Sequence, residues 1–162
     1  MKRLWASWRM KYISGNTPQT IGCVFCEALK FSDSADNLIV ERGKHCFVIL
    51  NKFPYTSGHV MVAPLAHTAE LGKVNYETGA EAMAMITRYT EILKRVYRPE
   101  GFNIGANIGA AAGAGVPGHL HFHIVPRWNG DTNYMTTVGE VRVLPEDLTE
   151  TYQRIKKVVL ES

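Results

Sequence analysis

The sequence predicts an α+β domain, an antiparallel sheet of about five strands with helices packed against it. Three observations carry that expectation. Several short runs alternate polar and apolar residues with the period of a strand, most clearly His119-Leu120-His121-Phe122-His123-Ile124. One long run, Asn75 to Tyr97, repeats its apolar residues at helical spacing. Segments rich in Gly and Pro separate these runs, and the 162 residues show no internal repeat and no second domain.

Glu27 to Phe31 reads as a short helix, followed by a polar loop from Ser32 to Asn37. Leu38 to Glu41 and His45 to Asn51 read as two strands joined at Arg42-Gly43-Lys44. Pro54 and Gly58 mark the next loop, and His59 to Pro64 is a third strand. In the long helix, Met83, Ile86, Thr90, Leu93 and Val96/Tyr97 form the expected core stripe, and Arg98-Pro99-Glu100-Gly101 ends it. Phe102 to Gly109 alternates again, with Phe102, Ile104, Ala106 and Ile108 expected to face the core. Asn103, Gly105, Asn107 and Gly109 lie opposite, on a face stripped of bulk where a ligand can approach the backbone. Residues 144–160 close the chain as a helix, with Pro145 in its first turn and an apolar stripe of Leu148, Tyr152, Ile155 and Val159.

Composition narrows the function. The chain is 46% hydrophobic and 20% charged, with a net charge of +3, as expected of an ordinary soluble globule. That mild excess suits phosphate-bearing ligands and does not point to duplex DNA. There is no apolar span of membrane length and no apolar core to a secretory signal. Three cysteines, an odd number, do not make a disulfide framework. A cytoplasmic protein with no membrane partner and no specific nucleic acid is the expectation. The opening segment mixes Trp5, Trp8, Tyr12 and Ile13 with basic residues. It reads as an amphipathic arm packed on its own domain, with a membrane-surface helix or a subunit contact as alternatives.

Two constellations carry chemistry. In a strand, His119, His121 and His123 share one face while Leu120, Phe122 and Ile124 fill the other. Three imidazoles in a row can be a solvated face, a metal site or a catalytic group in which one ring attacks and its neighbours manage the proton. Half of the six histidines lie in these five positions, which disfavours the first. One flat strand cannot easily turn three rings onto one ion, which disfavours the second. The other constellation is Cys23-Val24-Phe25-Cys26, open between half of a zinc site, a redox pair and two buried thiols. Gly113-Ala114-Gly115-Val116-Pro117-Gly118 spells G-x-G-x-x-G, but an alternating strand follows where a dinucleotide fingerprint opens a helix. The amides of this loop, among them those of Gly113 and Gly115, can still face an anion beside the histidines.

The run from His119 to His123, followed by Ile124-Val125-Pro126-Arg127, resembles the signature of the histidine triad (HIT) family. The tail from Pro126 to Met135 and the opening from Leu4 to Ile13 resemble its diadenosine tetraphosphate phosphorylase-like branch. The resemblance covers Trp5 to about Met135. It implies a HIT-like fold over 1–162, with 1–20 as an arm, and an enzyme that transfers a nucleotidyl group through a phosphorus–histidine intermediate. His121 is then the nucleophile, with its second nitrogen on the carbonyl of His119. His123 assists the leaving group, and His59 supports the triad from behind. Asn51 meets the ribose and Asn107 the phosphate side, with Gly113 and Gly115 in the phosphate loop. The resemblance further implies a structural zinc held by Cys23, Cys26, His67 and His119, and a homodimer. One departure is plain: many members carry a Gln-Ser/Thr pair before the triad, whereas Gly115 to Gly118 offers no side-chain donor here. The implied function is cleavage of dinucleoside polyphosphates at the α-phosphate with phosphate or water as acceptor. A nucleoside phosphoramidase or general nucleotidyl hydrolase, and a non-catalytic nucleotide- or zinc-binding module, are the alternatives.

Overall fold

The computed structural model describes residues 22–132 and 146–162. The arm at 1–20 with Trp5 and Trp8, the tail beyond Asn133 and Pro145 lie outside the described residues. The elements run α1 (Val24–Ala28), β1 (Ile39–Arg42), β2 (Cys46–Leu50), β3 (Val60–Pro64), α2 (Tyr76–Tyr97), β4 (Gly101–Gly105), β5 (Phe122–Arg127) and α3 (Leu148–Leu160). The five strands form one sheet in the order β1-β2-β3-β5-β4, antiparallel at every pairing. The expected α+β class and strand number hold. α1 starts earlier than expected, at Val24, and α3 starts at Leu148, where Asp147 caps it by accepting from the Glu150 amide at 2.8 Å.

Helices α2 and α3 cover one face. α2 lies over β2, β3 and β5, while α3 packs beside α2 and over β1. Asn75 caps α2 by accepting from the Thr78 amide at 2.9 Å, and Arg98 ends it in the left-handed conformation, one residue before Pro99. The buried stripe of α2 is Ala82, Met85, Ile86, Tyr89, Ile92 and Leu93. This corrects the stripe read from sequence, since Met83 is 62% exposed and Thr90 is half-buried. Tyr89 explains the error. Its ring is fully buried, and its hydroxyl donates to Glu41 Oε2 at 2.9 Å, so a residue that reads as amphipathic serves as core.

The opposite face, which carries the imidazoles, is packed too. Phe25, Ile39, Phe47, Ile49, Met61 and Ala63 form a second cluster there. The expected core role of Ile104 and Ile108 also fails, as they are 48% and 46% exposed. β4 is the last strand of the sheet and neither helix packs over it beyond Phe102, which reaches the main cluster. A sequence gives the faces of a strand but not its rank in the sheet.

Two ties fix the ends of the strands. The Glu81 carboxylate on α2 accepts from the amides of His45 and Cys46 at 3.0 Å, holding the β1–β2 turn down. Burial opposes its charge, but these amides prevail and hold its pKa below the usual value. At the far end of β5, Arg127 donates to both oxygens of Asp131, at 2.6 and 2.8 Å, and also to Asn103 on β4. The Arg127 hydrogen bonds pull the Asp131 pKa down to about 2.

A carboxylate with a lowered folded pKa stabilises the fold above its unfolded pKa and loses that contribution as pH falls through the folded value. Asp131 therefore contributes fully above about pH 4 and loses its contribution as pH falls toward 2. Urea unfolding of Asp131→Asn is expected to show lower stability at neutral pH. It should also lack part of the wild-type decline between these limits.

Candidate active site

Regular pairing of β5 begins at Phe122, so His119 and His121 precede the strand and only His123 lies within it. Proline causes the break. Phe122 pairs with Val62, and continuing that register would set Leu120 opposite Pro64. Pro64 has no N–H for the ladder. The Leu120 amide instead donates to Thr68 O at 2.6 Å, and the Pro64 carbonyl takes His119 Nε2 at 2.8 Å. Past the break, Phe122 and Ile124 pack into the cluster under α2, and Leu120 before it is buried.

His119 is 1% exposed, and three of its atoms, both ring nitrogens and the carbonyl oxygen, meet polar partners. Its Nε2–H donates to Pro64 O, which leaves Nδ1 as a lone pair aimed at two thiols. Cys23 Sγ lies 3.4 Å from that nitrogen and Cys26 Sγ 3.7 Å. The third contact is its carbonyl, which receives His121 Nδ1–H at 2.8 Å. His121, 4% exposed, thereby keeps its hydrogen on Nδ1 and its lone pair on Nε2. Burial lowers the pKa of both rings below the ordinary imidazole value, against the raising effect of their hydrogen bonds to carbonyls. Both are thus neutral at neutral pH, as a ligand nitrogen and a nucleophilic nitrogen require.

His123 faces His59. Their Nδ1 and Nε2 atoms are 2.9 Å apart. The Tyr55 amide donates to His59 Nδ1 at 3.1 Å. A backbone N–H can only donate, so a neutral His59 carries its hydrogen on Nε2 and gives it to His123 Nδ1. His123 then carries its own hydrogen on Nε2. Gly58 makes the approach of His59 feasible. Its φ is +76°, and a Cβ there would lie 2.7 Å from the Tyr97 ring. Tyr55 was missed in the sequence, although its ring lies tilted against His59 and stacked on His123, with centroids 4.7 and 6.0 Å away. Its place four residues before His59, in a Pro- and Gly-bearing loop, was the available signal.

The remaining expected residues surround this group. Asn51 spends its oxygen on the Phe53 amide at 2.9 Å and sets its nitrogen 3.5 Å from His59 Nε2. Asn107 donates to Gly113 O at 3.4 Å, bracing the glycine loop. The Gly113 amide closes a short turn onto Ala110 O at 2.9 Å, with φ of +81°. Gly115 lies exposed in the same loop.

Cys23, Cys26, His67 and His119 bring one ligand atom each to within 4.8 Å of one another. The fourth member, His67, sets Nδ1 at 3.4 Å from Cys26 Sγ. Metal–sulfur and metal–nitrogen bonds of about 2.3 and 2.05 Å at tetrahedral angles give an S···N edge of roughly 3.6 Å. The three measured edges bracket that value, so the cluster fits a tetrahedral metal ion. The Pro64 carbonyl supplies the outer hydrogen bond that a ligating imidazole usually has.

Residues 32–130 match the family model of the HIT domain. The chain is 38% identical to the AP-4-A phosphorylase of Mycobacterium tuberculosis over 158 residues, 93% of this chain and 80% of that relative. It is 26% identical to the adenosine 5'-monophosphoramidase of Schizosaccharomyces pombe over 136 residues, 80% of this chain and 97% of the relative. Among solved structures, a zinc-bound histidine triad family protein of Mycobacterium smegmatis matches with a TM-score of 0.69 at 29% identity, over 87% of this chain and 95% of that one.

The three cysteines differ in burial. Cys46 is fully buried, and burial together with the nearby Glu81 pushes its thiol up to about 11. Iodoacetamide at pH 8 is expected to alkylate Cys23 and Cys26 in metal-free protein and to spare Cys46. Adding zinc should protect the first two. Mass spectrometry of tryptic peptides reads all three, and native-state labelling of Cys46 would contradict this ordering.

Proposed function

The chain belongs to the HIT domain family, and on that premise we propose that it is an enzyme cleaving dinucleoside polyphosphates at the α-phosphate through a nucleotidyl-histidine intermediate. The observation that carries this reading is the 2.8 Å bond from His121 Nδ1 to the His119 carbonyl. It leaves Nε2 with a lone pair and no proton to shed before attack.

In this reading, His121 Nε2 forms a bond to the α-phosphorus, and the bridging P–O bond breaks. The leaving polyphosphate takes a proton from His123 Nε2, whose other nitrogen is held by His59. A phosphate or water oxygen then displaces His121 Nε2 from phosphorus and gives its proton to His123 Nε2, which restores both rings. Splitting one displacement into two lowers the barrier of each. Backbone amides of the loop from Gly109 to Gly118 meet the charge on the nonbridging oxygens in place of a side-chain hydroxyl, apart from those of Ala112, Gly113 and Ala114, which donate to loop carbonyls, so the expected role of the Gly113 amide is not kept. Asn51 and Asn107 are read as contacts to the ribose and the phosphate chain. The M. tuberculosis relative's name favours phosphate as the acceptor, and the S. pombe relative's name supports phosphoramide cleavage as the second reading.

The Cys23, Cys26, His67 and His119 cluster is read as a structural zinc site. Two thiolates and two imidazoles are a borderline-soft set suited to zinc, and with all four positions filled by protein no site is left for substrate. We read residues 1–162 as one domain acting in the cytoplasm as a homodimer. The last strand β4 leaves Ile104 uncovered, and the outer side of α2 presents Tyr76 and Met83, 84% and 62% exposed. A second copy adding its own β4 would cover such an edge.

Product analysis with diadenosine tetraphosphate tests the activity. ATP plus ADP formed only with phosphate present is the expected result. ATP plus AMP in either buffer would make it a hydrolase, and turnover of an adenylate amide alone would favour the second reading. His121→Ala is expected to lower kcat by about 10³-fold or more while nucleotide still binds. Sedimentation of Ile104→Lys tests the assembly: wild type is expected at twice the chain mass and the variant at one.

A further inference from the structure

The one-turn helix that carries the cysteines also carries an aromatic ring. Phe25 lies between Cys23 and Cys26 in sequence and is 3% exposed. Its ring meets His119 at a centroid distance of 5.2 Å and His121 at 5.1 Å. Phe47 backs it at 6.2 Å, edge to face. The His123 ring stands on His121 at 4.9 Å. His121 is therefore flanked by Phe25 and His123. The Nδ1 hydrogen bond fixes one nitrogen, but a single hydrogen bond leaves the ring free to tilt about it. Flanking rings remove that freedom.

The backbone of α1 alone does not hold Phe25 in place. The helix has five residues, and Cys23 makes no side-chain cap. A single turn is not stable on its own backbone bonds. Its N-terminal side is anchored by the burial of Phe25 and the approach of two thiols to His67 and His119, and its C-terminal side by Asn37 donating to Ala28 O at 3.3 Å and Arg42 donating to Leu29 O at 2.9 Å.

We propose that Phe25 is a positioning residue for His121, holding the attacking ring from the cysteine-bearing turn so that metal corner and nucleophile move as one unit. The proposal rests on the reading of His121 as nucleophile. It assigns Phe25 no contact with substrate. Its loss should therefore lower kcat and leave KM nearly unchanged, because a misdirected nucleophile costs rate more than binding.

The test uses full-length, zinc-loaded protein labelled with ¹⁵N in histidine, as wild type, Phe25→Leu and Ile39→Ala. Ile39 shares the Phe25 cluster and is fully buried, so its variant matches the loss of packing. Phe25→Leu is expected to bind zinc, hold KM within about 2-fold and lose about 10- to 100-fold in kcat. Its His121 ring nitrogens should leave the signature of a fixed Nδ1–H tautomer. Ile39→Ala should keep both kcat and that signature. Chelation of zinc from wild type should change the His121 nitrogens as Phe25→Leu does. If Phe25→Leu does not fold or does not bind zinc, Phe25→Met is read in its place.

Unchanged kcat and nitrogen shifts in the Phe25 variant, an equal kcat loss in Ile39→Ala, or unchanged shifts on zinc removal would each overturn the proposal. A wild-type protein that turns over no nucleotide would instead remove the nucleophile reading. The nitrogen spectra would then decide the positioning claim alone.

Discussion

His119 is the residue on which the rest of the site depends. One nitrogen donates to the Pro64 carbonyl, the other faces two thiols, and the backbone oxygen receives His121. These contacts tie β3, the cysteine turn and the neighbouring imidazole to one buried ring. Each polar atom has a partner, which a buried imidazole in this surrounding requires, since an unsatisfied polar group would cost about 1–3 kcal/mol. The ring is also neutral, because burial opposes its protonation.

Sheet and helices serve that arrangement by making its support rigid. β3 and β5 are inner strands, backed by α2 across the sheet and by the Phe25 cluster on the histidine side. His59 enters from the start of β3 and His123 from β5, so their contact is set by the register that pairs Met61 with His123. The loop from Asn51 to Gly58 leads into the start of β3, where Thr56 donates to Pro126 O near the end of β5, and the loop from Gly109 to Gly118 leads into the start of β5 at the other end of this antiparallel pair, where Gly118 lies beside His67. Their side chains are braced by bonds within the protein, as Asn51 and Asn107 show.

Much of this was legible from residue types and spacing. The alternation from His119 to Ile124 correctly sets the imidazoles apart from Phe122 and Ile124, even though the regular ladder starts only at Phe122. The C-x₂-C pair and two distant histidines do converge, as the family resemblance implied. Other expectations failed for physical reasons. Met83 was assigned to the core and Tyr89 was not, because a tyrosine's burial depends on a partner such as Glu41 that sequence does not reveal. Ile104 was assigned to the core because its alternation is that of an inner strand, while β4 lies last in the sheet. Tyr55 and Phe25 gave weak signals, since an aromatic residue beside a histidine or between cysteines has many uses.

The sequence by itself determined the chemistry available: neutral-range imidazoles, paired thiols, a glycine loop without hydroxyls, and the periods that make strands and helices. Periodicity is local, so it fixes which face a residue occupies within its own element. Only the tertiary structure decided which faces meet. The Cys23–His119 contact spans 96 residues and the His59–His123 contact 64. The second follows from strand order and register and the first from the packing of the cysteine turn on the sheet, and both depend on how the whole chain packs.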